Sequence, residues 1–420
     1  MLMNKEDCIV SDLTKRTIMT PGPVEAEPRV LRAMSAPILG QFDPAFTEMM
    51  NETMAMLRDL FQTKNQWAFP IDGTSRSGLE AVLTSLIEPG DRVFIPIYGR
   101  FGHLLVEICE RLDADVHSIE CEWGTVFSED EIIDEMNAVN PKIVACVHGE
   151  TSTGCMMPLQ NIGKTCREKD ILFVVDAVAT IGGVDVKVDD WYIDAAIGGT
   201  QKCLSIPAGM APITYNDRAE AVINRRKKVE RGIATEHDPS EPFSGSVIRS
   251  NYFDLSQLQD YWSPRRLNHH TEATSMIYGL HEGLRILLKE GLDERFNRHK
   301  YHEKALKAGI KAMGLDLYVE HEHKLPVVTC ISVPPGVNAD EIRAFMLTHF
   351  GVEIASSFGP LHGKIWRIGS MGYSCRKENV LFVLAALEAA LLFKGTTIET
   401  GKAIQAALAY YESNAVPLTI

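Results

Sequence analysis

The chain is expected to adopt an α/β fold: a large domain whose mostly parallel sheet is sandwiched by helices, and a smaller C-terminal α+β domain. Three observations predict it. From residue 67 short apolar runs, at 67–71, 92–96, 116–119, 143–147 and 171–176, alternate with helical stretches, the pattern of a parallel sheet covered on both faces. After residue 272 the pattern changes: helices at 274–289 and 292–313 lead to strands at 327–333, 352–355 and 364–368, mixed with helices at 339–349 and 377–393. At 420 residues the chain also exceeds one ordinary core. The expected division is an N-terminal segment over 1–45, a large domain over 46–272, and bridging helices with a small domain over 273–420.

In chain order, residues 1–16 read as a charged lead-in. Met19-Thr20-Pro21-Gly22-Pro23 makes a rigid turn, and Pro28 starts a short helix. Asp43-Pro44 marks another helix start. Phe46, Met49, Met50, Thr53, Met56, Leu57, Leu60 and Phe61 then recur at helical spacing, which suits core packing. Asp72-Gly73-Thr74-Ser75-Arg76-Ser77-Gly78 leads from the first strand into a helix at 79–87. Pro89-Gly90-Asp91 is a turn, and Tyr98-Gly99-Arg100-Phe101-Gly102 opens the next helix. Helices near 129–138 and 159–169 separate the later strands, and 399–412 reads as a final helix.

Bulk properties narrow the function. The net charge of −14 argues against a general nucleic-acid binder. The apolar run at 380–393 is interrupted by Glu388 and too short to cross a bilayer, so no membrane association is expected. Polar, acidic opening residues give no secretory leader, and Leu418-Thr419-Ile420 matches no address tag. Nine cysteines without a Cys-x-x-Cys pair suggest neither a disulfide framework nor a zinc ribbon. A reducing cytoplasm is the simplest compartment.

The chemistry centres on Gly198-Gly199-Thr200-Gln201-Lys202-Cys203. Lys202 follows a buried run, and Asp176 ends an earlier strand. This is the pair a pyridoxal 5'-phosphate enzyme needs: an amine for the cofactor aldehyde and a carboxylate that keeps the pyridine nitrogen protonated. By position alone, such a lysine is more often a solvated surface residue. Gly73-Thr74-Ser75 at a helix start offers N–H groups, hydroxyls and a positive helix end to a phosphate. An ordinary N-cap is the competing reading. Tyr98 could stack on a ring or simply fill the core. The polar loop His148-Gly149-Glu150-Thr151-Ser152-Thr153-Gly154 could reach a cofactor oxygen or be a plain turn. Arg367, in an apolar strand, is either a structural ion pair or a fork for a substrate carboxylate. His269-His270 invites a metal reading, but neighbours in a strand point to opposite faces, and no metal is expected. Glu320-His321-Glu322-His323 reads as a solvated loop, and Arg225-Arg226-Lys227-Lys228 as an exposed face.

In this order and spacing the motifs are specific together. The sequence resembles the class V (fold type I) pyridoxal phosphate aminotransferases, in particular the alanine– and serine–glyoxylate group, from about Pro21 to about Leu392. The resemblance implies Lys202 as the Schiff-base lysine, Asp176 on the pyridine nitrogen and Val178 packed on the ring. It implies Thr74, Ser75, Arg76 and Gln201 around the phosphate or ring, Tyr98 in the stacking position and Thr151 beside O3′. Arg367 would receive the substrate carboxylate, with Gly22 beside it. Thr271 would reach the phosphate of the other subunit, which implies a homodimer with shared sites.

Two departures bear on substrate. Where relatives commonly carry tyrosine before His-His-Thr, this chain has Asn268. Where a histidine is common after Gly40, it has Gln41. Carboxamides suit a donor with its own amide or urea group. They point to the ureidoglycine–glyoxylate aminotransferases of purine degradation, with glyoxylate accepting the amino group. Alanine– or serine–glyoxylate transamination is the first rival. A cysteine desulfurase-like lyase is the second, although the loop Ala355-Ser356-Ser357-Phe358-Gly359 lacks the cysteine that reaction needs. A non-catalytic binding protein on the same scaffold is the third.

Overall fold

The structure, a computed structural model, describes residues 14–414. The opening residues of the lead-in and Leu418-Thr419-Ile420 lie outside that span.

The large sheet has seven strands, in the order Trp67–Gly73, Gly209–Tyr215, Ala195–Ile197, Leu172–Asp176, Ile143–Val147, Arg92–Ile97 and Asp115–Glu120. All neighbours run parallel except Gly209–Tyr215, which is antiparallel to both strands beside it. The central strands are buried along their whole length, as their Val/Ile/Ala runs require when helices cover both faces. Register aligns Val147 with Asp176, and Asp176 with Ile197. The segments leaving these strands, 148–154, 177–181 and 198–202, therefore emerge side by side at one edge.

The helix Ser75–Leu86 crosses this sheet closely because Gly78 has no side chain; a Cβ there would lie 2.7 Å from that of Ala211. Pro44–Phe61 packs Phe46, Met50, Leu57 and Phe61 into the same core, with Asp43 capping its first turn.

A second core joins Leu306, Ile310, Trp366, Ile368, Leu384 and Leu387 with Met19 from the N-terminal segment. Its antiparallel sheet has the order Val328–Ser332, Ile365–Gly369, Ala355–Ser356. Thr17–Ile18 pairs in parallel with Val352–Glu353. The strand expected at 352–355 is thus two short pieces serving different sheets, and the helix expected at 339–349 ends at Phe345 before a wider turn over Met346–Phe350.

Sequence periodicity missed Gly209–Tyr215, because Pro212 reads as a strand breaker; in the sheet it faces Pro70 across the ladder. The basic run at 225–228 is also not an exposed face. Arg226 is fully buried and donates from Nη1 to the carbonyls of Thr84, Ser85 and Ile87, and from Nε to Ser246 O. It satisfies the open carbonyls where the helix Ser75–Leu86 ends.

Candidate active site

A cavity of about 240 Å³ opens where the strand ends converge, lined among others by Gly22, Thr74, Ser75, Phe101, Asp176 and Lys202. Arg76, Thr151, Val178 and Gln201 complete its polar and apolar walls. Lys202 is buried, and its Nζ donates to Pro21 O. Burial first, and the Arg367 guanidinium second, lower its ammonium pKa to about 8. Asp176 is pushed the other way, to about 6, chiefly by burial, with the bond from Val178 N opposing the rise. That bond, 2.9 Å to Oδ1, fixes the carboxylate and leaves Oδ2 without a hydrogen bond among the described residues.

The opposite end of the cavity suits an anion. Thr74 is the N-cap of the helix Ser75–Leu86 yet makes no side-chain cap bond; Ser77 N is taken by Thr74 O, and the N–H groups of Ser75 and Arg76 stay available. Ser75 Oγ and the Gln201 carboxamide hydrogen-bond at 2.8–3.0 Å. Close approach to the lysine depends on Gly22, whose φ is +108°. A Cβ there would stand 2.5–2.7 Å from the Lys202 side chain. Amine, carboxylate, anion cradle and glycine floor together fit pyridoxal phosphate.

Arg367 is buried beside this cavity. Its Nε and Nη2 donate to Ser356 O, and Nη1 donates to Thr151 O at 2.8 Å. Of five N–H groups, one on each terminal nitrogen stays free, the geometry of a carboxylate fork. Burial lowers its pKa to about 10, so it keeps its charge at neutral pH. Phe358 packs against its face at 4.7 Å.

Tyr98 requires a correction. It is fully buried, and its hydroxyl donates to Val147 O at 2.8 Å and His148 O at 3.0 Å. It ties two strand ends together and does not line the cavity; Phe101 and Leu104 do. The sequence reading also passed over what holds Phe101. Glu150 is buried and accepts from Phe101 N at 2.8 Å, while its partner Ser152 takes Arg100 N at 3.1 Å. Gly99 makes room, since a Cβ there would meet Glu150 at 2.3 Å. The signal available was a glycine on each side of one aromatic residue at a helix start.

Gln41, Asn268 and Thr271 do not line this cavity. They cluster elsewhere on the chain: Gln41 Nε2 donates to Asn268 Oδ1 at 2.9 Å, and Gln41 Oε1 accepts from Glu272 N at 3.0 Å. His269 and His270 are not in a strand; their Nδ1 atoms meet at 2.9 Å. No cysteine among the described residues lines the cavity, and Cys330 is buried in Val328–Ser332.

Fold and site define a pyridoxal phosphate aminotransferase, and the chain belongs to the aminotransferase class-V family, whose family model matches residues 32–365. It is 68% identical over 398 residues to the (S)-ureidoglycine–glyoxylate transaminase of Bacillus subtilis, covering 95% of this chain and 96% of the relative. The crystal structure of ureidoglycine–glyoxylate aminotransferase from Bacillus subtilis superposes with a TM-score of 0.90 at 64% identity, covering 97% of this chain and all of that one. Alanine–glyoxylate aminotransferase of Drosophila melanogaster is 35% identical, over 92% of this chain and 94% of its own length.

Proposed function

We propose that this protein transfers the amino group of (S)-ureidoglycine to glyoxylate, giving oxalurate and glycine in purine degradation. The observation that carries the reading is the 68% identity, along nearly the full chain, to a transaminase named for that reaction. The Gln41–Asn268 carboxamide pair supports it, since it offers hydrogen bonds that the methyl of alanine would leave unused.

Pyridoxal phosphate, when bound, supplies the aldehyde that carries the amino group and the ring that takes up carbanion charge. Lys202 would hold it, and its Nζ would act as the base on the donor Cα. An ammonium pKa lowered to about 8 keeps a useful fraction of that amine neutral. Asp176 would hold the pyridine nitrogen protonated through a charge-assisted hydrogen bond. Ser75, Thr74, Gln201 and the N–H groups of Ser75 and Arg76 would hold the phosphate, the Arg76 side chain would flank it, and Val178 and Phe101 would close on the ring. Thr151 serves O3′. Arg367 holds the carboxylate of each substrate in turn, with Gly22 alongside. Two half-reactions share one site, so donor and acceptor alternate.

The working unit in this reading is a cytoplasmic homodimer in which Asn268, Gln41 and Thr271 of one subunit serve the site of the other. The test is a competition: glycine formation from glyoxylate with ureidoglycine, alanine and serine together. Preferential consumption of ureidoglycine is expected; preference for alanine or serine overturns the donor assignment. Sulfide release from cysteine would favour the lyase rival.

A further inference from the structure

The loop carrying Asn268 and Thr271 runs into a cluster of ionisable groups with no part in the reaction above. Asp72, His270 and Glu272 each place one ligating atom within 4.8 Å of the others. His270 Nε2 stands 3.2 Å from Asp72 Oδ2 and 3.8 Å from Glu272 Oε2. The side chains are 13%, 11% and 1% exposed in chain order. The rings of Tyr261 and Tyr252 pack on the imidazole, with centroids at 4.9 and 5.5 Å.

Two observations indicate a missing electrophile. First, neither carboxylate oxygen of Glu272 has a hydrogen-bond partner among the described residues. A buried carboxylate without a partner is a costly arrangement. Arg266, a cation within electrostatic reach, commits its terminal nitrogens to Tyr261 O and Asn51 Oδ1, and its Nε makes no hydrogen bond to Glu272.

Second, the hydrogen bonds set the His270 tautomer. His269 Nε2 lies 3.3 Å from Asn251 O, which can only accept, so that nitrogen carries the hydrogen. A neutral His269 then presents a bare Nδ1, 2.9 Å from His270 Nδ1, which must donate to it. His270 Nε2 is left as a lone pair facing two carboxylates, and it has no hydrogen-bond partner among the described residues. The Tyr261 hydroxyl beside Glu272 makes no hydrogen bond among the described residues, and burial with the neighbouring Asp72 charge pushes the Glu272 carboxyl well above the usual carboxylate range, a cost that a bound cation would remove. A ligating histidine ordinarily donates its other N–H to an acceptor, as His270 does here.

We propose that Asp72, His270 and Glu272 form a binding site for a divalent cation of the zinc or manganese class. Separations of 3.2 and 3.8 Å match the edges of a coordination shell with bonds of about 2.0–2.2 Å. Two carboxylates and a neutral imidazole balance a doubly charged ion. The imidazole disfavours calcium and magnesium, which take oxygen ligands. The site lies between two functional segments: Asp72 precedes the Gly73-Thr74-Ser75 phosphate cradle, and Glu272 N holds Gln41. The ion would fasten the 268–272 loop to the strand Trp67–Gly73. Its binding does not depend on which amino donor is used; only the consequence for Asn268 rests on the donor proposed above.

The experiment uses the holoenzyme, dialysed against chelator and titrated with zinc and cobalt chloride by calorimetry and equilibrium dialysis. One ion per chain is expected, bound at least tenfold more weakly in Glu272→Gln and Asp72→Asn. Bound cobalt should show weak d–d bands to the red of the cofactor band, without a thiolate charge-transfer band. Absence of stoichiometric binding, equal binding by both folded variants, or a thiolate band would overturn the site. Retained cofactor absorbance reports folding of the variants. If neither folds, the wild-type stoichiometry and cobalt spectrum decide.

Discussion

Gln41 and Asn268, 227 positions apart, share one hydrogen bond whose direction is fixed. Gln41 Oε1 is committed to Glu272 N, so its Nε2 is the end that donates to Asn268 Oδ1. Asn268 is thereby turned to present its NH₂ group, two donors on an exposed side chain. A ureido carbonyl is a matching acceptor; the methyl of alanine is not. Asn268→Asp keeps the shape and the bond from Gln41 but replaces donors by acceptors. It should lower kcat/KM for ureidoglycine by about 10- to 100-fold, the range of one lost hydrogen bond to a substrate, with kcat/KM for alanine nearly unchanged. Parallel steady-state assays check this, and an unaltered ratio removes Asn268 from donor selection.

Phe101 and Tyr98 separate by function. Phe101 lines the cavity, so Phe101→Ala should raise the dissociation constant for cofactor by about 2- to 10-fold, the value of one aromatic contact. Tyr98→Phe leaves Val147 O and His148 O without their donor and should cost about 1–3 kcal/mol of stability. Its cofactor affinity should stay unchanged. Cofactor titration and denaturant unfolding of both variants distinguish the two roles; a larger cofactor effect from Tyr98→Phe would restore the stacking assignment.

The contrast shows what the sequence could convey. Lys202, Asp176, Ser75, Thr151 and Gln201 all follow or end recognisable strands, and strand ends of a parallel sheet share one edge, so their convergence was legible. Tyr98 follows a strand too, but the chain turns there and aims Phe101, three residues on, at the cavity. Helical phase at a first turn depends on the cap, here Glu150 and Ser152 from another loop, which no local pattern reveals. Arg226 failed for a related reason: its partners are carbonyls at 84–87, and a run of four basic residues looks the same whether it faces water or a helix end. The Asp72–His270–Glu272 cluster was invisible because Asp72 is far in sequence from the neighbouring pair His270 and Glu272.

Arg226 offers a test of stability apart from catalysis. Its guanidinium donates to four carbonyls, three of them through Nη1 near the end of the helix Ser75–Leu86. Arg226→Leu leaves those acceptors buried and bare, which should cost about 3 kcal/mol or more. The midpoint of denaturant unfolding should fall, while kcat per folded site is retained. A variant as stable as the parent would mean that water replaces the guanidinium at those carbonyls.

The Lys202 amine should govern how the apoenzyme captures its cofactor. Only the neutral amine attacks an aldehyde, and burial with the nearby Arg367 charge brings its ammonium pKa to about 8. Below that pH each unit of acidification protonates about 90% of the remaining free amine. The capture rate, followed as growth of the visible cofactor band, should therefore climb about tenfold per pH unit up to about 8 and level off above it. Arg367→Leu removes the repulsive cation, so it should move the inflection towards higher pH, against the direction of burial, while Cys203, Asp176 and Glu150 continue to favour the charged form. A rate that rises without a break to about pH 10, the range of an ordinary lysine, would show that the amine is not perturbed by its site.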